Sequence, residues 1–388
     1  MIAVLRLVLA LTAGFLCLYV VIAPVSPTAS IGKFATDHYS HYSAAVLAWD
    51  RGLAVYTTPM RLTCAKTSSV SLAFAADLGL DPDNLCDLPE RAGKRPLVIN
   101  WSMMPRPYPP GALLYAAPEA LLYAWTGLSV KTINRLTILK HILVGHLLVF
   151  ALLAMLFGGE EGKPWRDVAF FIGPLVYFTV IPFAMAGFYD AISIVCIVWA
   201  IQRLERDQPV HALSLLSLAA FLHFRAIWYV PLGVVTLARV RRAPKPVWLL
   251  VVSGVLLAAT AVSLVLVGPF LTMFPHNNPA LLSQFTGSPA QLDFLAMVVV
   301  IGGYLAWERR WLLLAQVTWI ELVIGLTVQA QKWHPMFLLP LLAMAKWQRA
   351  KGPVLVALVL LIIGLARIVY NTTAMPGIFL GELLRVHI

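Results

Sequence analysis

Long apolar stretches alternate with short polar ones along almost the whole chain. The apolar runs are about 15 to 25 residues long, which is the length a helix needs to cross a bilayer. This pattern predicts eleven membrane-spanning helices, near 3–25, 134–157, 167–186, 189–203, 210–224, 226–240, 246–270, 290–307, 311–330, 334–347 and 353–370. The one large hydrophilic stretch, residues 26–133, separates the first two. Two segments within it carry helical patterning of their own. Ser43 to Trp49 places Ala45, Val46 and Trp49 on one face and stops at Asp50-Arg51-Gly52, which predicts an interfacial helix over 38–50. Residues 110–126 are apolar enough to span, but they open on Pro109-Pro110, carry Pro118 and Glu119 and close on Trp125 and Gly127. They are read as an interfacial or re-entrant helix on the outer face. The expected fold is an all-α polytopic membrane protein, one integral membrane domain over 1–388 with a large first extracytoplasmic loop.

Charge then orients the predicted helices. The chain is 60% hydrophobic and 12% charged, far too apolar for one soluble domain. Clustered cations fall at Lys163/Arg166, Arg203/Arg206, Arg239/Arg241/Arg242/Lys245, Arg309/Arg310 and Lys346/Arg349/Lys351. Loops without clustered positive charge lie between them, around Gly187–Asp190, His223–Arg225, Phe270–Pro289 and Gln331–His334. The two sets alternate strictly, so the first set is expected in the cytoplasm and the second outside it. Counting 110–126 as a span would break that alternation. The N-terminus is then cytoplasmic and the C-terminus outside. The formal charge of +11 is explained by these short loops, with no basic tail or zinc-ligand spacing, so nucleic acid is not an expected partner. Met1 to Val25 is read as a retained first span rather than a signal peptide, because its apolar run is long and no Ala-x-Ala cleavage site follows. No internal repeat stands out.

The cysteines divide in the same way. Cys17 and Cys196 lie in apolar runs and are expected as packing residues. Cys64 and Cys86 share the large loop, and are either a disulfide, as an oxidising compartment allows, or two free thiols.

Ionisable and aromatic residues gather at the predicted outer ends of the spans. Asp37, His38, His41 and Tyr42 follow the first span, and Arg106 and Tyr108 introduce the 110–126 helix. Tyr189 and Asp190, His223 and Arg225, and Lys332 and His334 mark three later outer turns. Ionisable groups near a membrane are costly and are functional candidates for that reason. Each also has a plainer role. Asp37 is a base at the water–lipid boundary or an ordinary loop acid. Arg225 and Lys332 are ligands or snorkelling anchors, Asp190 a site residue or a helix N-cap, and His223 and His334 site residues or interface histidines. Arg106 contacts substrate or lipid headgroups. Trp125, Trp228 and Trp333 are read as interfacial belt aromatics rather than sugar platforms. Glu321 is the one charge expected in the middle of a span.

Four short motifs together resemble the GT-C glycosyltransferases, membrane enzymes that use polyprenyl-phosphate sugars. They are Asp37 followed by Tyr-x-x-Ala-x₆-Gly-x₃-Tyr from Tyr42 to Tyr56, Tyr-Pro-Pro at 108–110, Phe-Tyr-Asp at 188–190, and His-Phe-Arg-x₅-Pro at 223–231. The closest resemblance is to the polyprenol-phosphate-mannose-dependent branch. That branch often has Lys in the fifth–sixth turn where this chain has His223 and Arg225, which leaves the phosphate ligand and the sugar open.

The resemblance implies a GT-C-like bundle and an inverting transfer with Asp37 as catalytic base. The donor is a polyprenyl-phosphate sugar, the acceptor an envelope glycan or glycolipid, and the site faces outside the plasma or inner membrane. Arg225, His334, Lys332 and Arg106 are the expected phosphate ligands; His38, His41, Tyr42, Tyr108, Asp190 and His223 are the expected substrate contacts. The chemistry fits: a carboxylate takes the acceptor's proton, and cations stabilise charge growing on the phosphate. No cofactor or metal is expected, since no second carboxylate stands at ligand spacing to Asp37 and no nucleotide-binding glycine loop is present. The competing class is a transporter or flippase of a lipid-linked or anionic solute, whose polar site belongs near the bilayer midplane.

Overall fold

The computed structural model describes residues 109–128, 130–157, 189–242, 246–277, 289–327, 334–350 and 353–362, with isolated helical positions between 173 and 184. Among these residues there are helices and turns and no strands. The helices are α1 (Pro110–Thr126), α2 (Val130–Phe157), α3 (Asp190–Glu205), α4 (Pro209–Leu222), α5 (Val230–Val240), α6 (Val247–Asn277), α7 (Pro289–Trp307), α8 (Trp311–Thr327), α9 (Leu339–Trp347) and α10 (Pro353–Ile362). Two 3₁₀ segments, Phe224–Tyr229 and His334–Leu338, lead into α5 and α9.

Local chemistry sets most of these boundaries. Pro110 occupies the first position of α1, where a missing N–H costs nothing, and Gly127 ends the helix in the left-handed region at φ 64°. Within α1, Ala112, Ala116 and Glu119 are buried at helical spacing while Leu114 and Trp125 are exposed, so the helix lies with one face on the bundle. The backbone of Gly111 comes so close to α4 that a Cβ there would collide with the carbonyl oxygen of Phe221.

α3 is the central helix. Ile194, Val195, Ile197, Val198, Ala200 and Ile201 are all fully buried, and α2, α4 and α9 pack around it. A helix apolar on every side is buried on every side. Cys196 is part of this core and is a free thiol. Small polar groups tie the helices laterally: Ser193 donates to the Ala219 carbonyl at 3.0 Å, and the Ser214 and Ser253 hydroxyls bond at 2.8 Å.

The turns around α3 gather at two chemically distinct ends of the bundle. At one end lie the starts of α3 and α5, the close of α4, the two 3₁₀ segments and the α1 docking contact. At the other end, Arg239 stacks over Trp347, Arg310 donates to the Gln348 and Arg349 carbonyls, and Lys346 donates to the Met155 carbonyl. Three helix reversals at this basic end share one geometry. Gln208, Arg310 and Ala350 each donate 2.8 Å bonds to the carbonyl five residues earlier, behind a left-handed Asp207, Arg309 or Arg349. This is the Schellman closure, built here without glycine.

Leu139–Leu156 of α2 and Val247–Leu266 of α6 are long and apolar enough to cross a membrane, with mean hydropathies of 2.1 and 2.6. α6 exposes Val251, Val255, Val262 and Val265 along its length. The other apolar helical stretches among the described residues are 10–17 residues long.

Candidate functional site

Asp190 is the hub of the end away from the basic turns. It opens α3, is 2% exposed, and its Oδ1 accepts from Arg225 Nη1 at 2.9 Å while facing His223 Nε2 at 3.0 Å. It is not the N-cap: that position belongs to Tyr189, which makes no side-chain cap bond. An acid in the first turn still complements the helix dipole. Its two partners come from the sharp break after α4. His223 is extended there (φ −151°, ψ 127°), and its Nδ1 accepts from the Arg225 backbone N–H at 3.0 Å. One histidine thus starts the 3₁₀ segment with one ring nitrogen and faces Asp190 with the other.

Side chains reinforce that 3₁₀ segment beyond its own backbone bonds, such as Ala226 N–H to the His223 carbonyl at 3.0 Å. Pro231 has no N–H to offer the carbonyl four residues before it, that of Ile227. The Val230 N–H bonds that carbonyl, and the Trp319 indole N–H from α8 adds a second donor at 2.7 Å. Gln316, also on α8, donates to the next carbonyl, that of Trp228. The Tyr229 hydroxyl donates to the Phe337 carbonyl in the other 3₁₀ segment. The Phe337 ring in turn packs against His223 and Trp228 at centroid distances of 5.6 and 5.4 Å, with the Arg225 guanidinium 5.7 Å away. Arg225 is left partly accessible, with 23% of its side chain exposed.

A second polar cluster sits between α1 and α2. Lys140 Nζ lies 2.5 Å from Glu119 Oε1, donates to the Tyr115 carbonyl at 2.6 Å, and stands 3.9 Å over the Tyr115 ring. Burial, with the Glu119 charge beside it, raises the Tyr115 phenol well above its ordinary pKa. It stays protonated, and its hydroxyl shares a hydrogen bond with His141 Nδ1 at 3.2 Å. An aromatic bridge joins the two clusters: Tyr115 to Tyr189 at 5.8 Å, and Tyr189 to His223 at 5.2 Å. Beside Lys140, a groove of about 300 Å³ runs along α2, lined by Leu136, Leu139, Lys140, Leu143, Val144 and Leu147.

Of the residues the sequence singled out, Asp190, His223 and Arg225 are in direct contact. The backbone of His334 opens the 3₁₀ segment that delivers Phe337 to them. The His334 side chain lies outside the described residues, as do Asp37, His38, His41, Tyr42, Arg106, Tyr108 and Lys332, the Cys64 and Cys86 pair, and the 38–50 helix. Among the described residues, no three His, Cys, Asp or Glu side chains converge as a metal site would require.

One expectation is corrected. Trp228 is not a belt aromatic: it is 2% exposed, because the 3₁₀ turn carries its ring inward onto Phe337, whereas Trp125 is exposed. Lys140 lies ten residues into α2, with Glu119 as its counter-ion. The Glu119 and Lys140 pair, Tyr115 and the Gln316 and Trp319 clamp are the site residues that sequence reasoning passed over. A signal existed for the first pair: Tyr115 and Glu119 share a helix face at i, i+4, and Lys140-His141 interrupts an apolar run. No family model, curated protein or solved structure matches this chain.

Proposed function

We propose that the protein is an integral membrane glycosyltransferase of GT-C type, a bundle of about eleven spans carrying the 26–133 loop on its outer face. It moves a hexose or pentose, mannose in the closest resemblance, from a polyprenyl-phosphate donor to an envelope glycan or glycolipid. The observation that carries this reading is the buried Asp190–His223–Arg225 cluster, assembled from two separate turns at the bundle end opposite the basic turns. It gathers cationic and aromatic groups where a lipid phosphate meets the membrane surface, on the side that the charge pattern assigns to the exterior.

In this mechanism Asp37 accepts the acceptor's hydroxyl proton as that oxygen bonds to the anomeric carbon with inversion. The bond from that carbon to the phosphate oxygen breaks, and its electron pair stays on the polyprenyl phosphate. Arg225, with His334, Lys332 and Arg106, stabilises the growing charge. Asp190 is a positioning residue: it holds the Arg225 guanidinium at 2.9 Å and leaves the rest of that side chain partly accessible. The groove along α2 suits a prenyl chain.

The test is to incubate purified protein with a panel of polyprenyl-phosphate sugars and score released polyprenyl phosphate. Release that disappears in Asp37→Asn is the expected result, and no release from any donor would sink the reading. A transporter of a lipid-linked or anionic solute is the second reading, favoured by Lys140, an ionisable group well inside α2. Translocation of a labelled lipid-linked sugar across proteoliposomes without release of polyprenyl phosphate would select it.

A further inference from the structure

Three turns are locked together at the basic end. The Arg239 guanidinium lies 5.0 Å from the Trp347 ring centroid, which ties the end of α5 to the end of α9. Arg310 Nη1 and Nη2 donate to the Gln348 and Arg349 carbonyls at 2.9 Å, which ties the α7–α8 turn to the same place. These contacts gather the exposed residues Arg239, Arg241, Arg242, Arg309 and Arg349 on one platform. Glu308 is the one acid in turns 239–242, 308–311 and 346–350. Among the described residues, Arg241, Arg242 and Arg309 pair with no acid. Like charges fixed side by side repel, and an anion among them offsets that cost. Every exposed cation in these turns is arginine, whose planar fork takes phosphate oxygens in pairs.

The neighbouring apolar surface separates a lipid phosphate from a free one. Trp307 and Trp311 flank the α7–α8 turn and are 83% and 63% exposed. Indoles in that setting sit where hydrocarbon meets headgroups. Val300, Gly303 and Trp307 follow on α7 at i, i+3 and i+7, so one exposed apolar stripe leads up to the arginines. Gly303 leaves a hollow in that stripe, since a Cβ there would meet nothing within 4 Å. A free phosphate or a soluble acidic partner has no use for the stripe, whereas an acyl chain does.

We propose that Arg309 and Arg349, neighbours across the Arg310 bonds, bind the phosphate of an anionic phospholipid whose acyl chain lies along Val300, Gly303 and Trp307. Arg239, Arg241 and Arg242 add attraction for a negatively charged leaflet. This lipid site rests on the membrane reading and not on sugar transfer.

The purified full chain in neutral detergent is titrated with phosphatidylglycerol and, separately, with phosphatidylcholine of the same acyl chains, and bound lipid is counted by native mass spectrometry. Phosphatidylglycerol should bind more tightly than phosphatidylcholine by about five-fold or more, Arg309→Gln should weaken it about five-fold, and Arg349→Gln should add a similar loss. Gln is no better suited than Arg to the left-handed region, so the backbone cost is kept. Gly303→Leu, which fills the hollow, should also weaken phosphatidylglycerol, and glycerol phosphate, the anion without chains, should compete poorly at equal ionic strength. Equal binding of the two lipids overturns the proposal, as does phosphatidylglycerol binding that is the same in the double arginine variant. Glycerol phosphate competing as well as phosphatidylglycerol would assign the arginines to a free phosphate and overturn it too. If the variants fold poorly, the two lipids and glycerol phosphate compared on the unaltered protein still decide. A chain that stays monodisperse in water without detergent would remove the membrane reading itself; equal lipid binding by a chain that needs detergent would remove this site alone.

Discussion

The Tyr229 hydroxyl donates to the Phe337 carbonyl across 108 residues of chain, joining the two 3₁₀ segments that open α5 and α9. Both partners are buried, and Arg225 and His223 stand on the segment so fixed. Tyr229→Phe keeps the ring and strands the carbonyl. The expected cost is about 1–3 kcal/mol of stability, read as a lower thermal midpoint in detergent, with unchanged stability as the contrary result.

Asp190 ties two partners from another turn, Arg225 and His223, so its loss reaches beyond its own helix. Asp190→Asn leaves the partly accessible Arg225 guanidinium without its counter-ion, an effect of about 1.5–3 kcal/mol on stability. Arg225→Ala instead weakens binding of a polyprenyl-phosphate donor by about 1.5–3 kcal/mol. Chemical unfolding and donor titration separate the two. Donor affinity in Arg225→Ala equal to that of the unaltered protein would remove Arg225 from the site.

The approach of α1 to α4 at Gly111 leaves no room for a methyl group against the Phe221 carbonyl. Gly111→Ala should shift α1 outward and disturb the Tyr115–Tyr189 contact. A cysteine pair engineered across the α1–α4 contact, cross-linked efficiently in the parent, should cross-link poorly in this variant. Equal efficiency would show that α1 is not anchored there.

Three non-glycine residues occupy the left-handed region at the basic end, with φ of 54° at Asp207, 54° at Arg309 and 52° at Arg349. That conformation costs an L-residue about 1–2 kcal/mol, offset in part by the larger unfolded-state entropy of glycine. Arg309→Gly and Arg349→Gly should each gain up to about 1 kcal/mol in thermal unfolding. Asp207→Gly should gain less, since Asp tolerates this region better. Gly127→Ala, at φ 64° after α1, should lose stability by a similar amount.

Orientation is tested by labelling single cysteines in a variant whose native cysteines have been replaced. A probe at Arg241 should react only after the membrane is opened, and one at Leu128 should react from outside in intact cells. Labelling of the Arg241 position from outside would overturn the assignment of the basic turns to the cytoplasm.

Helix limits were readable from local rules. Pro110 at the start of α1, Gly127 at its end, and the polar breaks before Pro209, Trp311 and Pro353 all mark boundaries where a backbone N–H is absent or a reversal of direction is needed. The same rules placed Asp190, His223 and Arg225 in turns at one end of the bundle, since reversing helices return alternate turns to the same level. Partnership is a different matter. Asp190 and Arg225 are 35 residues apart, and whether an acid caps its own helix or binds a distant guanidinium depends on the rotation of α3 against α4. That rotation is settled by packing of a core helix buried on all sides, where periodicity carries no direction. Lys140 shows the limit most plainly: within an apolar run it has no visible counter-ion, and only the docking of α1 across α2 brings Glu119 to 2.5 Å.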